Sequence, residues 1–106
     1  MSSPPAPGFV ALSKFVIANG LTAEVKAAFR QRPHLVNSAE GFVRMEVLSP
    51  LDRPEEIWLI THWTDAHAFD RWHHSHSYRQ SHQGIPKGLK LVRGQTELQR
   101  FEHVCD

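Results

Sequence analysis

With 106 residues, 41% of them apolar and 22% charged, the chain holds material for one hydrophobic core and lies outside the disordered classes. Its formal net charge of +1 gives no field for nucleic acid, and no apolar run approaches the roughly 20 residues that span a bilayer. The single cysteine, Cys105, has no partner for an internal disulfide, which points to a reducing cytoplasm.

Residues 1–8 (Met-Ser-Ser-Pro-Pro-Ala-Pro-Gly) lack the basic-then-apolar pattern of a signal peptide and read as a flexible lead. Residues 9–106 read as one domain. Phe9–Ile17 is rich in strand formers and alternates in part, so it is the first expected strand. Asn19-Gly20 is a turn or helix entry. Thr22 is the expected N-cap of a helix to about Arg32, with Val25, Ala28 and Phe29 on one face. Pro33 stops that helix or starts a short second one, and 37–41 is loop.

Gly41-Phe42 opens a second strand to about Leu48, and Pro50, Asp52 and Pro54 punctuate the turn after it. Glu56–Trp63 is a third strand of high β-propensity. Thr64 or Asp65 then caps a helix whose inner face carries Ala68, Phe69 and Trp72; it loosens near Ser75–Ser77 and resumes to His82. Gln83–Lys87 is a loop, and Leu89–Phe101 alternates as a long final strand.

Strand, helix, strand, strand, helix, strand is the split βαβ order: a ferredoxin-like α+β fold with an antiparallel sheet covered by helices on one face. The other face still carries Trp, Phe and aliphatic residues. A domain of this size has no chain left to cover it, so a second copy is expected to do so, as a homodimeric α+β barrel.

Five of the eight histidines fall between His67 and His82. Within that stretch a Trp on the core face of a helix, Trp72, is followed ten residues later by His82, just before a Gly-Pro loop. Neutral imidazole is a standard axial ligand of haem iron, and an indole nearby suits the face of a flat macrocycle.

These residues resemble the antibiotic-biosynthesis-monooxygenase-like superfamily, and within it the haem-degrading monooxygenases. The likeness covers about Phe9 to Phe101. It rests on Glu40-Gly41-Phe42, on the strand end Leu59-Ile60-Thr61-His62-Trp63, on Ala68-Phe69-x-x-Trp72 and on Tyr78-x-x-x-His82. The resemblance implies that His82 is the axial iron ligand and that Trp72 forces the porphyrin out of plane. It also implies a distal hydrogen-bond donor on the first strand. That donor is Asn in the haem-degrading branch and Ser13 here, with a shorter reach and one donor instead of two.

The implied reaction is oxidative breakdown of haem with O2. Haem is both ligand and substrate, and electrons come from an external donor or reductase, since nothing here resembles a nucleotide-binding loop. Two other readings stand beside it: a haem carrier or sensor without turnover, and a cofactor-free monooxygenase of a polycyclic aromatic or quinone. His73 and His76, one helical turn apart, have a usable metal-ligand spacing but read more simply as a solvated helix face.

Overall fold

The computed structural model describes residues 7–31, 35–75 and 90–106. Four strands form one antiparallel sheet in the order β2-β3-β1-β4. They are β1 (Phe9–Val16), β2 (Phe42–Leu48), β3 (Glu56–Trp63) and β4 (Glu97–Glu102). Helix α1 (Thr22–Arg30) follows β1, a 3-10 turn (Leu35–Ser38) precedes β2, and helix α2 (Ala66–His73) follows β3. This is the expected ferredoxin-like arrangement, with the first and third strands central and the second and fourth at the edges.

The period of two in the strands decides which residues meet the helices. On β1 Phe9 and Ala11 are buried, as is Ile17 just beyond its end, and Phe15 packs beside Ile17, so odd positions face the helix layer. The register carries the same parity across the sheet: Ala11 opposes Thr61, and Phe9 opposes Trp63. Two core clusters result. One, under α2, gathers Phe9, Ala11, Val36, Trp63, Ala68 and Phe69; the other, under α1, gathers Ile17, Val25 and Ile57. Trp63 is wholly buried, with Phe42 and Phe69 edge-on to it at 5.5 and 5.8 Å between ring centroids. Such aromatic pairs add about 0.5–1.5 kcal/mol each beyond area burial.

The opposite face carries the half-buried apolar side chains of Val10, Leu12, Val16, Trp58 and Ile60, with Phe101 44% exposed. Charges are set among them. Lys14 lies 4.7 Å from the Trp58 ring centroid and 3.8 Å from Glu56, and the Trp58 indole N–H donates to Glu56 at 2.7 Å.

Two expectations change. Thr22 is not the cap of α1: Leu21 holds that place with no side-chain hydrogen bond, and Thr22 is already the first helical residue. Gly20, at φ +75°, turns the chain early enough for the helix to begin there. Asp65, in contrast, caps α2 as expected, accepting from the Ala68 N–H at 2.8 Å. The last strand is shorter than its sequence pattern. Ile17 pairs with Leu91 in an isolated bridge, but regular pairing begins only at Lys14 with Glu97. Gly94, at φ +77°, makes a turn between the two, so residues 90–101 are not one strand. The continuation of α2 through His82 and the Gln83–Lys87 loop lie outside the described residues.

Candidate functional site

Ser13 occupies the helix-facing side of β1, between Leu59 on β3 and Leu98 on β4. It sits at the divide between the two core clusters, with Phe9 and Ala11 on one side and Phe15 and Ile17 on the other. It is half-buried, Leu98 beside it is 43% exposed, and no described residue hydrogen-bonds to its hydroxyl. A small polar side chain in an otherwise apolar row leaves a donor free for a ligand seated over the sheet.

Trp72 reaches the same layer from α2. Phe69 and Trp72, and Ala68 and Trp72, are three and four residues apart, which puts all three on one helix face. Ala68 and Phe69 are buried, and Trp72 packs half-buried against their cluster. Its other side lines a cleft of about 280 Å3 with Ser38, Glu40, Ala68, Arg71 and Ser75. Arg71 and Glu40 face each other there at 3.9 Å. Ser75 closes the helix end, its hydroxyl donating to the Trp72 carbonyl at 2.7 Å. Ser13 does not line this cleft. The two residues share a layer, but the described residues do not join them in one cavity. His82 lies outside the described residues.

The other histidines have local roles. His73 stacks on Phe69 at 5.4 Å, and an Nδ1 of His74 meets the Asp70 carbonyl at 2.8 Å. His62 is on the far face of the sheet, its Nε2 3.6 Å from a Glu46 carboxylate oxygen, too long for a hydrogen bond. Burial, and then the Arg44 guanidinium, hold the His62 imidazole below its ordinary value against the opposite pull of Glu46. Among the described residues no three or more His, Cys, Asp or Glu side chains gather to hold a metal. His76, one helical turn from His73, is outside them.

A larger cavity, about 430 Å3, lies elsewhere, between α1 and the edge strand β2. Phe29, Met45, Val47 and Ile57 form its apolar lining, and Lys26 and Arg30 stand at its rim. Sequence reasoning missed it. Its one visible signal is the basic pair four residues apart beside the apolar stripe of α1.

Residues 8–84 match the model of the family described as antibiotic biosynthesis monooxygenase. The chain belongs to that family. A haem oxygenase (mycobilin-producing) of Mycobacterium tuberculosis is 29% identical over 63 residues, which cover 59% of this chain and 60% of that protein. The chain thus spans about 60% of the length of the curated relatives it matches.

Among solved structures, the haem-degrader MhuD of Mycobacterium tuberculosis, with two haems bound in its active site, is 26% identical with a TM-score of 0.74. The match covers 92% of this chain and 97% of MhuD. SnoaB of Streptomyces nogalater, a cofactor-independent oxygenase, is 22% identical with a TM-score of 0.73, covering 95% and 97% of the two chains; that likeness is one of fold. None of the described helices of this family member is long and apolar enough to cross a membrane.

Proposed function

We propose that this family member is a haem-binding monooxygenase that degrades haem oxidatively, with O2 and an external electron donor, and releases iron. One observation carries the reading: the Ser13 hydroxyl, free of described partners, lies on the helix-facing side of the sheet that Trp72 also covers. A flat macrocycle over that row would meet Leu59 and Leu98 as apolar floor and Ser13 as its polar contact. The mycobilin-producing and MhuD relatives support the same ligand.

In this reading His82 holds the iron, Trp72 presses on the macrocycle, and Ser13 donates a hydrogen bond on the distal side. Haem itself supplies the oxygen chemistry when bound; the protein supplies ligation, shape and a site shielded from water. The protein acts as a cytoplasmic homodimer, with residues 9–106 as one domain and the two sheets packed through their partly apolar open faces. Nucleic acid and membrane have no part.

The test is a haemin titration followed by the Soret band, with saturation near one haem per chain. His82→Ala removes or strongly weakens the band, whereas His73→Ala with His76→Ala leaves it. If the double change abolishes uptake and His82→Ala retains it, the ligand is misassigned. Loss of the band with a reductant, with catalase present, then separates enzyme from carrier. A hydrogen bond to a partly charged acceptor is worth about 1.5–3 kcal/mol, one to two powers of ten in rate. Ser13→Asn speeds the decay and Ser13→Ala slows it at nearly unchanged haemin affinity.

Ser13 also favours a second reading, a haem carrier without turnover, because its single short donor replaces an amide. All three proteins decaying like free haemin would establish that reading. The cofactor-free alternative, with a polycyclic aromatic or quinone substrate, has its support in the SnoaB fold and predicts no haemin uptake.

A further inference from the structure

The cavity between α1 and β2 belongs to neither Ser13 nor Trp72, and its chemistry is uneven. Its floor is the wholly buried Ile57, its walls are Phe29, Met45 and Val47, and among the described residues its charged lining is Lys26 and Arg30. Among the described residues neither cation meets an acidic partner. Like charges one turn apart on a helix are mildly destabilising, so this pair adds nothing to α1 by facing itself. The helix dipole accounts for Arg30, in the last turn, but not for Lys26. Lys26 is half-buried and lines the cavity beside its apolar residues, as a long stem with a charged head allows.

From this juxtaposition of an apolar groove and two unpartnered cations, we infer that the α1–β2 cavity binds an amphipathic monocarboxylate, its apolar body on Ile57 and Val47 and its carboxylate between Lys26 and Arg30. The volume lies within the range of small-molecule sites, and apolar walls with a few convergent polar groups are their usual composition. The guanidinium offers a carboxylate a paired set of N–H donors and the ammonium a point charge. Ser13, Leu59, Leu98 and Trp72, the described residues assigned to haem, do not line it.

Fluorescence titration of the full chain with cis-parinaric acid and with its methyl ester tests this. The two probes share an apolar body and differ in the charge. The native protein binds the acid saturably, one per chain, and prefers it to the ester about tenfold at low salt, the low end for charge-assisted hydrogen bonds at a partly exposed site. Lys26→Gln with Arg30→Gln abolishes that preference, while His82→Ala leaves it intact. Because the preference is a ratio within one protein, a general loss of folded material does not imitate it. Equal binding of acid and ester by the native chain, absence of saturable binding, or a preference that survives the double variant would overturn the inference. So would a preference lost on His82→Ala, which would place the probe in the other site.

Discussion

Gly41 is where the entry to β2, the exit from β3 and the start of α2 meet, and replacing it with Ala tests how α2 is seated. Its carbonyl accepts from the Thr64 N–H at 2.8 Å, and its φ is +82°. An added Cβ would stand 2.5 Å from the Cβ of Ala68 and 2.8 Å from the Thr64 hydroxyl. Carbon contacts are optimal near 3.5–4.0 Å, so the methyl requires about 1 Å of retreat from a helix whose Ala68 is itself buried. Thr64 can rotate away, whereas the Ala68 Cβ is fixed to the helix backbone.

The left-handed backbone costs Ala about 1–2 kcal/mol and overpacking about 1–3, so Gly41→Ala loses about 2–5 kcal/mol. That lowers the melting midpoint by on the order of 10–20 °C. Urea unfolding measures it, and a cycle with Ala68→Gly isolates the clash. The Ala68→Gly change alone costs about 2 kcal/mol through helix propensity and a lost buried methyl. The double variant should be more stable than the sum of the two by about 1–3 kcal/mol, since the opposing methyl is gone. A Gly41→Ala protein within 0.5 kcal/mol of native, or strict additivity in the cycle, would refute the reasoning.

Phe69→Ala removes a buried ring that touches Phe9, Trp63 and the Arg100 guanidinium; a loss of about 3–5 kcal/mol is expected in chemical denaturation. For His62, the folded pKa lies below the ordinary 6.5, so the unfolded chain takes up the proton first on acidification. Stability from this group is therefore complete above pH 6.5 and falls as pH drops through the folded value. Melting curves between pH 7 and 5 should flatten in His62→Gln, and an unchanged slope would remove His62 from the account. Light scattering at micromolar concentration should return twice the chain mass, and Ile60→Lys on the open sheet face should halve it with the circular dichroism preserved. A native monomer would end the barrel proposal.

The fold was readable wherever one local signal had no competitor. Glu56–Trp63 runs between a proline-punctuated turn and the Asp65 cap, and the strand has those same bounds in the structure. The end of the chain shows the opposite case. Residues 91–101 look continuous in hydropathy, but the pairing of β1 with the last segment slips by three residues between Ile17–Leu91 and Lys14–Glu97. Alternation reports only which side chains share a face. It does not report whether the partner strand keeps step, and Gly94 alone, with its positive φ, marked the break. Thr22 failed for a related reason: Thr and Asp are both good caps, but Gly20 set the entry angle of α1 and left Thr22 inside its first turn.

The candidate site divides along the same line. Ser13 could be placed on the helix-facing side from parity alone, and Trp72 on the inner face of α2 from its spacing to Ala68 and Phe69. Neither period contains the separation between the two. Which side chains share a cavity depends on how α2 lies across the sheet, and that is decided by long-range contacts: Gly41 under Ala68, and Arg100 of β4 bonded to Asp70 at 3.2 Å while standing over Phe69. These hold the inner face of α2 on Phe9 and Trp63, so Trp72 turns toward Glu40 and the 3-10 turn instead of along β1. A ligand that touches both Ser13 and Trp72 must then extend past the Phe9–Phe69 cluster, a demand met by a broad, flat molecule and not by a small one. The geometry thus makes ligand size a test of the haem reading that needs no substitution. Haemin should change the environment of both Ser13 and Trp72 on titration, and a single-ring aromatic should perturb one of them at most.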